Sequence, residues 1–101
     1  MGFHAAVITP SGKVFDGEIN ALKAPGSEGD FGILSAHAPF LASLKSGVLK
    51  ITQPEQEIFF AVAAGVLEVN REHNVLVLCD RALGCENFSE AKKSVEEFEK
   101  K

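Results

Sequence analysis

Apolar stretches in this chain are short, and Gly, Pro and Asp cut them again and again. The run from Phe3 to Thr9 stops at Pro10-Ser-Gly12, and Pro54-Glu-Gln56 ends Val48–Thr52 before a new run begins at Ile58. Glycine and proline placed this way mark turns. Strands recurring at roughly 8–12-residue spacing pack as a sandwich or small barrel. No uninterrupted stretch approaches the length of a bilayer-spanning helix. Beyond the first, the strands legible in the pattern are Val14-Phe15, 19–24, 40–44, 48–52, 66–70 and 75–79. Asp16-Gly17 reads as a tight turn or bulge, and 71–74 as the turn of a last hairpin. Ile58–Ala64 is apolar at every position, the pattern of a strand covered on both faces or of a buried helix.

The pattern changes at Leu83-Gly84, which divides a β-sandwich domain (1–84) from a short C-terminal helix (85–101). Asn87 followed by Glu90 has the spacing of a capping box. Phe88, Ala91, Val95 and Phe98 then form one apolar stripe at helical spacing. The pairs Lys92–Glu96, Lys93–Glu97, Glu96–Lys100 and Glu97–Lys101 lie along the wet face. So short a helix is marginal alone, so it is expected to dock through Phe88 and Phe98 or to fray.

Charge and composition exclude several functions. The chain has 101 residues and a net charge of −4, and its eight aromatic residues are all Phe. The scattered Lys and Arg form no basic patch interleaved with aromatics, so nucleic acid is excluded as a partner. No N-terminal export segment is legible. Cys79 and Cys85 are then expected to be unpaired thiols, which leaves a Cys–His nucleophile as one rival reading. His4, His37 and His73 fall at no metal-ligand spacing with Cys or carboxylates, so no metal or cofactor is expected.

Residues 22–51 bear most on function. Gly26, Gly29 and Gly32 fall every third residue, in what reads as a tight loop that can approach another surface. Phosphate binding fails the motif test, because Phe31 and Ile33 flank the last glycine where a phosphate loop needs Lys and Ser or Thr after it. The loop is therefore structural, or it docks protein.

Several segments together resemble a known family. They are Phe15-Asp-Gly-Glu-Ile19, Pro25-Gly-Ser-Glu-Gly-Asp-Phe-Gly-Ile33, His37-Ala-Pro39 with Phe40-Leu41, Lys45-Ser-Gly-Val48, Gly65-Val-Leu-Glu-Val69 and Val75–Ala82. In this order they resemble the N-terminal domain of the epsilon subunit of F-type ATP synthases. The resemblance implies a mainly β fold, a flattened sandwich of about ten short strands in two sheets, followed by the helix. It implies a non-catalytic rotor subunit that joins γ to the membrane-embedded c-ring and couples proton or sodium flow to ATP synthesis. The α/β hexamer is a further implied partner, and the expected place is the cytoplasmic face of a bacterial inner membrane, reached only through the complex.

Carried over residue by residue, the family's ring contact falls on Glu28, Asp30 and His37, and part of the γ face on Phe40, Leu41 and Ala42. Some members bind ATP through a helical pattern whose Asp, Arg and Ala are replaced here by Ser89, Lys92 and Lys93. Lysine does not reproduce a bidentate arginine, so no nucleotide is expected. The second helix of the family's pair is not present in the sequence, which argues against inhibition of ATP hydrolysis by an extended arm. A standalone β-sandwich binding module is the alternative.

Overall fold

The computed structural model describes residues 2–100; Lys101, and with it the Glu97–Lys101 pair, lies outside the described residues. Ten strands precede one helix: β1 Phe3–Thr9, β2 Gly12–Ile19, β3 Ala21–Gly26, β4 Gly29–Leu34, β5 Phe40–Leu44, β6 Gly47–Gln53, β7 Gln56–Val62, β8 Gly65–Val69, β9 Val75–Cys79, β10 Ala82–Cys85 and α1 Phe88–Glu99. The hydrogen-bonded order is β10-β7-β6-β3-β5-β8-β9-β1-β2, with β4 on the free edge of β3. All pairings are antiparallel except β1 with β9.

Strand alternation explains why this path folds over into a sandwich. Val7, Leu22, Ile33, Leu49, Ile51, Leu67 and Val77 are almost wholly buried and form one core between two layers. One layer holds β10, β7, β6, β3 and β4, and the other β5, β8, β9, β1 and β2. The layers meet through a single pairing, Gly26 with Leu44. On another edge the Asn20 amide donates to the Thr52 carbonyl at 2.7 Å, and Gln53 Nε2 to the Glu18 carbonyl at 2.8 Å.

Two strands are absent from the sequence reading. The glycine-rich stretch is a hairpin, β3–β4, turning on Ser27-Glu28 with Gly26 opposite Gly29. Gly29 takes φ +130°, and a Cβ on Gly26 would stand 2.6 Å from the Gly29 carbonyl oxygen. Those two glycines therefore serve the hairpin itself. The second is β10, which pairs with β7 from Ala82–Val62 to Cys85–Phe59.

Asp16-Gly17 is not a turn. β2 runs through it, with Phe15, Gly17 and Ile19 opposite Val7, Ala5 and Phe3 on the inner face. The register shift falls earlier, where Val14 is the extra residue between the Val7–Phe15 and Ile8–Lys13 pairs. Asp16 stays outside, bound by His4 and by Lys13 Nζ at 2.6 Å. These two contacts, the lysine's first, hold its carboxyl below the ordinary range.

The helix is capped as its sequence requires. Asn87 Oδ1 accepts from the Glu90 amide at 2.8 Å, and Glu90 Oε1 accepts from the Glu86 amide at 2.6 Å. The reciprocal arm of the box thus reaches one residue beyond the cap. The helix lies on β6, β7 and β10, but it docks through Ala91 and Val95 rather than through both phenylalanines. Phe88 is 53% exposed, while the Arg81 guanidinium sits 4.3 Å over the Phe98 ring. Strand β7 is covered on both faces, with Phe60 and Val62 in the core and Ala61 buried on the helix side. Asn87→Ala is expected to lower stability by about 1 kcal/mol, read as a lower urea midpoint at unchanged slope.

Candidate functional site

Two surfaces of this sandwich carry the candidate residues. The first is the end formed by the β3–β4 turn and the 35–39 loop. Glu28 stands exposed at the turn and Asp30 exposed on β4, while His37 is half-buried in the loop. An aromatic stack ties these segments together. Phe31 packs on the core, Phe40 meets its ring at 5.4 Å and 73°, and His37 meets Phe40 at 5.4 Å and 62°. The stack ties the loop of His37 to β4, where Asp30 precedes Phe31. His73, in the β8–β9 turn, donates from Nδ1 to the His37 carbonyl at 2.9 Å. Nothing in the local sequence signals that bond, which spans 36 positions.

The second surface is the outer face of β5, β8, β9 and β1. Strand register places Leu41, Glu68, Leu76 and Ala6 in one row, and Ser43, Val66, Leu78 and Ile8 in the next. Leu41 is 71% exposed, Leu78 43% and Val66 38%. Contiguous apolar side chains on the outside of a sheet mark an interaction face. Of the three candidate γ-contact residues, Leu41 belongs to it. Phe40 and Ala42 lie on the other face of β5, Phe40 in the aromatic stack yet still 38% exposed and Ala42 opposite the buried Leu67. Register, not the run of residues 40–42, is what would have found Val66 and Leu78.

Neither thiol is set up as a nucleophile. Cys79 is buried, and burial together with Asp80 pushes its thiol up, the opposite of an activated nucleophile. Cys85 Sγ rests 3.4 Å from the Leu83 carbonyl oxygen and 3.8 Å from Ser94 Oγ. Among the described residues no group of His, Cys, Asp or Glu could hold a metal, and no helix is long and apolar enough to cross a membrane. A groove of about 410 Å³ between α1 and the outside of β3 and β6 has Lys23, Lys45, Lys50 and Lys92 facing Asp30, Glu96 and Glu99. Mixed signs of charge there leave only a small excess of positive charge, a weak field for any one kind of ligand.

The class these features define is a rigid β-sandwich docking domain. Residues 2–84 match the family described as ATP synthase, delta/epsilon chain, β-sandwich domain, and the chain belongs to that family. It is 38% identical over 80 residues to the ATP synthase epsilon chain of Bradyrhizobium sp. (strain ORS 278), covering 79% of this chain and 58% of that one. With the epsilon chain of Nitrosococcus oceani it shares 38% identity over 92 residues, 90% of this chain and 65% of that one. The chain thus spans about three-fifths of the length of these curated relatives.

Among solved structures, a chain of the Euglena gracilis mitochondrial ATP synthase (OSCP/F1/c-ring) has the same fold at TM-score 0.78 and 17% identity, over 95% of this chain and 62% of that one. A chain of the central stalk/c-ring of the Tetrahymena thermophila mitochondrial ATP synthase matches at TM-score 0.70 and 18% identity, over 82% and 66%.

Proposed function

We propose that this chain is an epsilon-type central-stalk subunit of an F-type ATP synthase, with no active site of its own. The observation that carries the reading is the pairing of an apolar outer sheet face with an acidic end, in a chain whose residues 2–84 belong to the epsilon family. The sheet face around Leu41, Val66 and Leu78 binds γ, as an obligate and largely apolar interface would. Glu28, Asp30 and His37 meet the polar loops of the c-ring. A β-sandwich is stiff enough to pass torque between the two, so ion-driven ring rotation turns γ inside the α/β hexamer. The subunit sits on the cytoplasmic side of a bacterial inner membrane, held there through its partners.

Two measurements test this. The chain should co-purify with γ from the same synthase, and that pair should then capture purified c-ring. A chain that stays monomeric with both partners would instead be a standalone binding module. Asp30→Lys should keep the fold within about 0.5 kcal/mol, since the residue is exposed. Reversing a rim charge should weaken ring capture by about tenfold and lower the number of ions pumped per ATP hydrolysed. An unchanged pumping ratio in that variant would remove Asp30 from the ring contact.

A further inference from the structure

We propose that His73 is the positioning residue for the 35–39 loop and hence for the His37 side chain, a role that rests on the ring-contact reading above. The loop contains an unfavourable element. Ala36 stands at φ 61°, a left-handed conformation that alanine keeps only under constraint from its surroundings. Two contacts hold the loop: Phe40, the residue that follows it, meets the His37 ring at 5.4 Å and 62°, and His73 donates to the His37 carbonyl oxygen.

His73 is itself firmly placed. It too is left-handed, at φ 66°, and its amide donates to the Asn70 carbonyl at 3.0 Å. Asn70 Oδ1 accepts from the amides of Glu72 and Asn74, both at 3.0 Å, closing the β8–β9 turn around it. A side chain fixed in a rigid turn thus clamps the backbone of a strained loop on the neighbouring connection. A carbonyl oxygen can only accept, so Nδ1 of His73 carries the proton. His37 donates likewise, from Nδ1 to the Ala38 carbonyl at 2.8 Å. Its carbonyl, its Nδ1 and its ring are therefore all engaged internally. In the tautomer that donates from Nδ1, Nε2 is the remaining acceptor, on a loop that the Phe40–Phe31 contact ties to the strand carrying Asp30. The clamp would hold that acceptor in place for a partner loop that presents hydrogen-bond donors.

The test uses the full chain, isotopically labelled, with two substitutions. His73→Gly keeps the left-handed turn and deletes the donor. His73→Asn tolerates the same backbone and puts Nδ2 where histidine has Nδ1, each one bond beyond Cγ. In the native chain the ring nitrogen shifts of neutral His73 should report the proton on Nδ1. Backbone order parameters of Ala36, His37 and Ala38 should be about 0.85 in the native chain and in His73→Asn. They should fall below about 0.6 in His73→Gly, while Leu67 and Val77 stay rigid.

Unchanged loop order in His73→Gly, or His73→Asn behaving like His73→Gly, would overturn the role. Capture of purified c-ring by the γ complex separates this from the reading beneath it, with an expected loss of about five- to tenfold in His73→Gly. A loosened loop with native ring capture would sink the ring contact and leave the clamp standing. Weakened capture with an ordered loop would overturn the clamp.

Discussion

Replacing Gly65 with alanine is expected to cost the fold about 3–5 kcal/mol, since backbone must move to admit the methyl group. In a domain of this size that lowers Tm by roughly 15 °C or more. Gly65 lies at the start of β8 between two partners, Leu44 on β5 and Cys79 on β9. A Cβ there would collide with the Leu78 carbonyl oxygen and stand 2.7 Å from Cys79 Cα. Both obstacles are main chain, so no rotamer change relieves them.

The two segments cannot simply part. The Asp80 amide donates to the Ala64 carbonyl at 3.2 Å, and the Ala63 amide to the Arg81 carbonyl at 3.0 Å. Displacing β9 would also pull Val75, Val77 and Cys79 from the core. Gly32→Ala is the control, because its Cβ would meet only the Leu22 carbonyl oxygen at 3.8 Å. That variant should stay within about 1 kcal/mol of the native chain. Urea unfolding of the two variants checks the contrast, and equal midpoints would show that β8 and β9 can separate at little cost.

Which elements were legible follows from how much of each strand's side-chain pattern faces the core. β1, β5 and β9 are mostly apolar along their length, and their bounds in the structure are those the pattern predicts. β4 presents Gly29, Asp30 and Gly32 among its six residues, and only Ile33 is buried. β10 is four residues long and none is fully buried. Edge strands like these are specified by the neighbour that accepts them, and the hydrophobic pattern is nearly silent about that. Asp16-Gly17 has turn chemistry, yet Phe15, Gly17 and Ile19 satisfy strand alternation, and pairing with β1 prevails over the local preference. In the helix, Ala91 and Val95 suit close packing on the sheet, so α1 lies flat and leaves Phe88 beyond the contact.

The candidate surfaces were legible to different degrees. Glu28, Asp30 and His37 could be named from the resemblance alone. The stacking of Phe31, Phe40 and His37, which ties the His37 loop to β4, needs the fold. The apolar sheet face needs the register of four strands before Leu41, Val66 and Leu78 become neighbours.

That face carries the second large prediction. Leu78→Glu should weaken binding of γ by at least about 100-fold, or about 2.8 kcal/mol. Leu78 lies between Val66 and Ile8, its Cα partners on the two adjoining strands, with Leu76 two positions back on its own strand. Docking over that position would bury a carboxylate among apolar groups, and an unpaired buried charge costs several kcal/mol. The isolated chain should tolerate the change within about 1 kcal/mol, because Leu78 is already 43% exposed.

Leu34→Glu separates this face from general surface apolarity. Leu34 is more exposed, at 66%, but it lies on β4 in the opposite layer. Titration of γ should find native affinity for Leu34→Glu and little binding for Leu78→Glu. The reverse ranking would move the γ interface to the layer of β3, β4 and β6. It would also put that interface beside Asp30, in conflict with a ring contact at the same residue. Two partners can grip this small body at once only if they use different faces, and the Leu78 result decides whether they do.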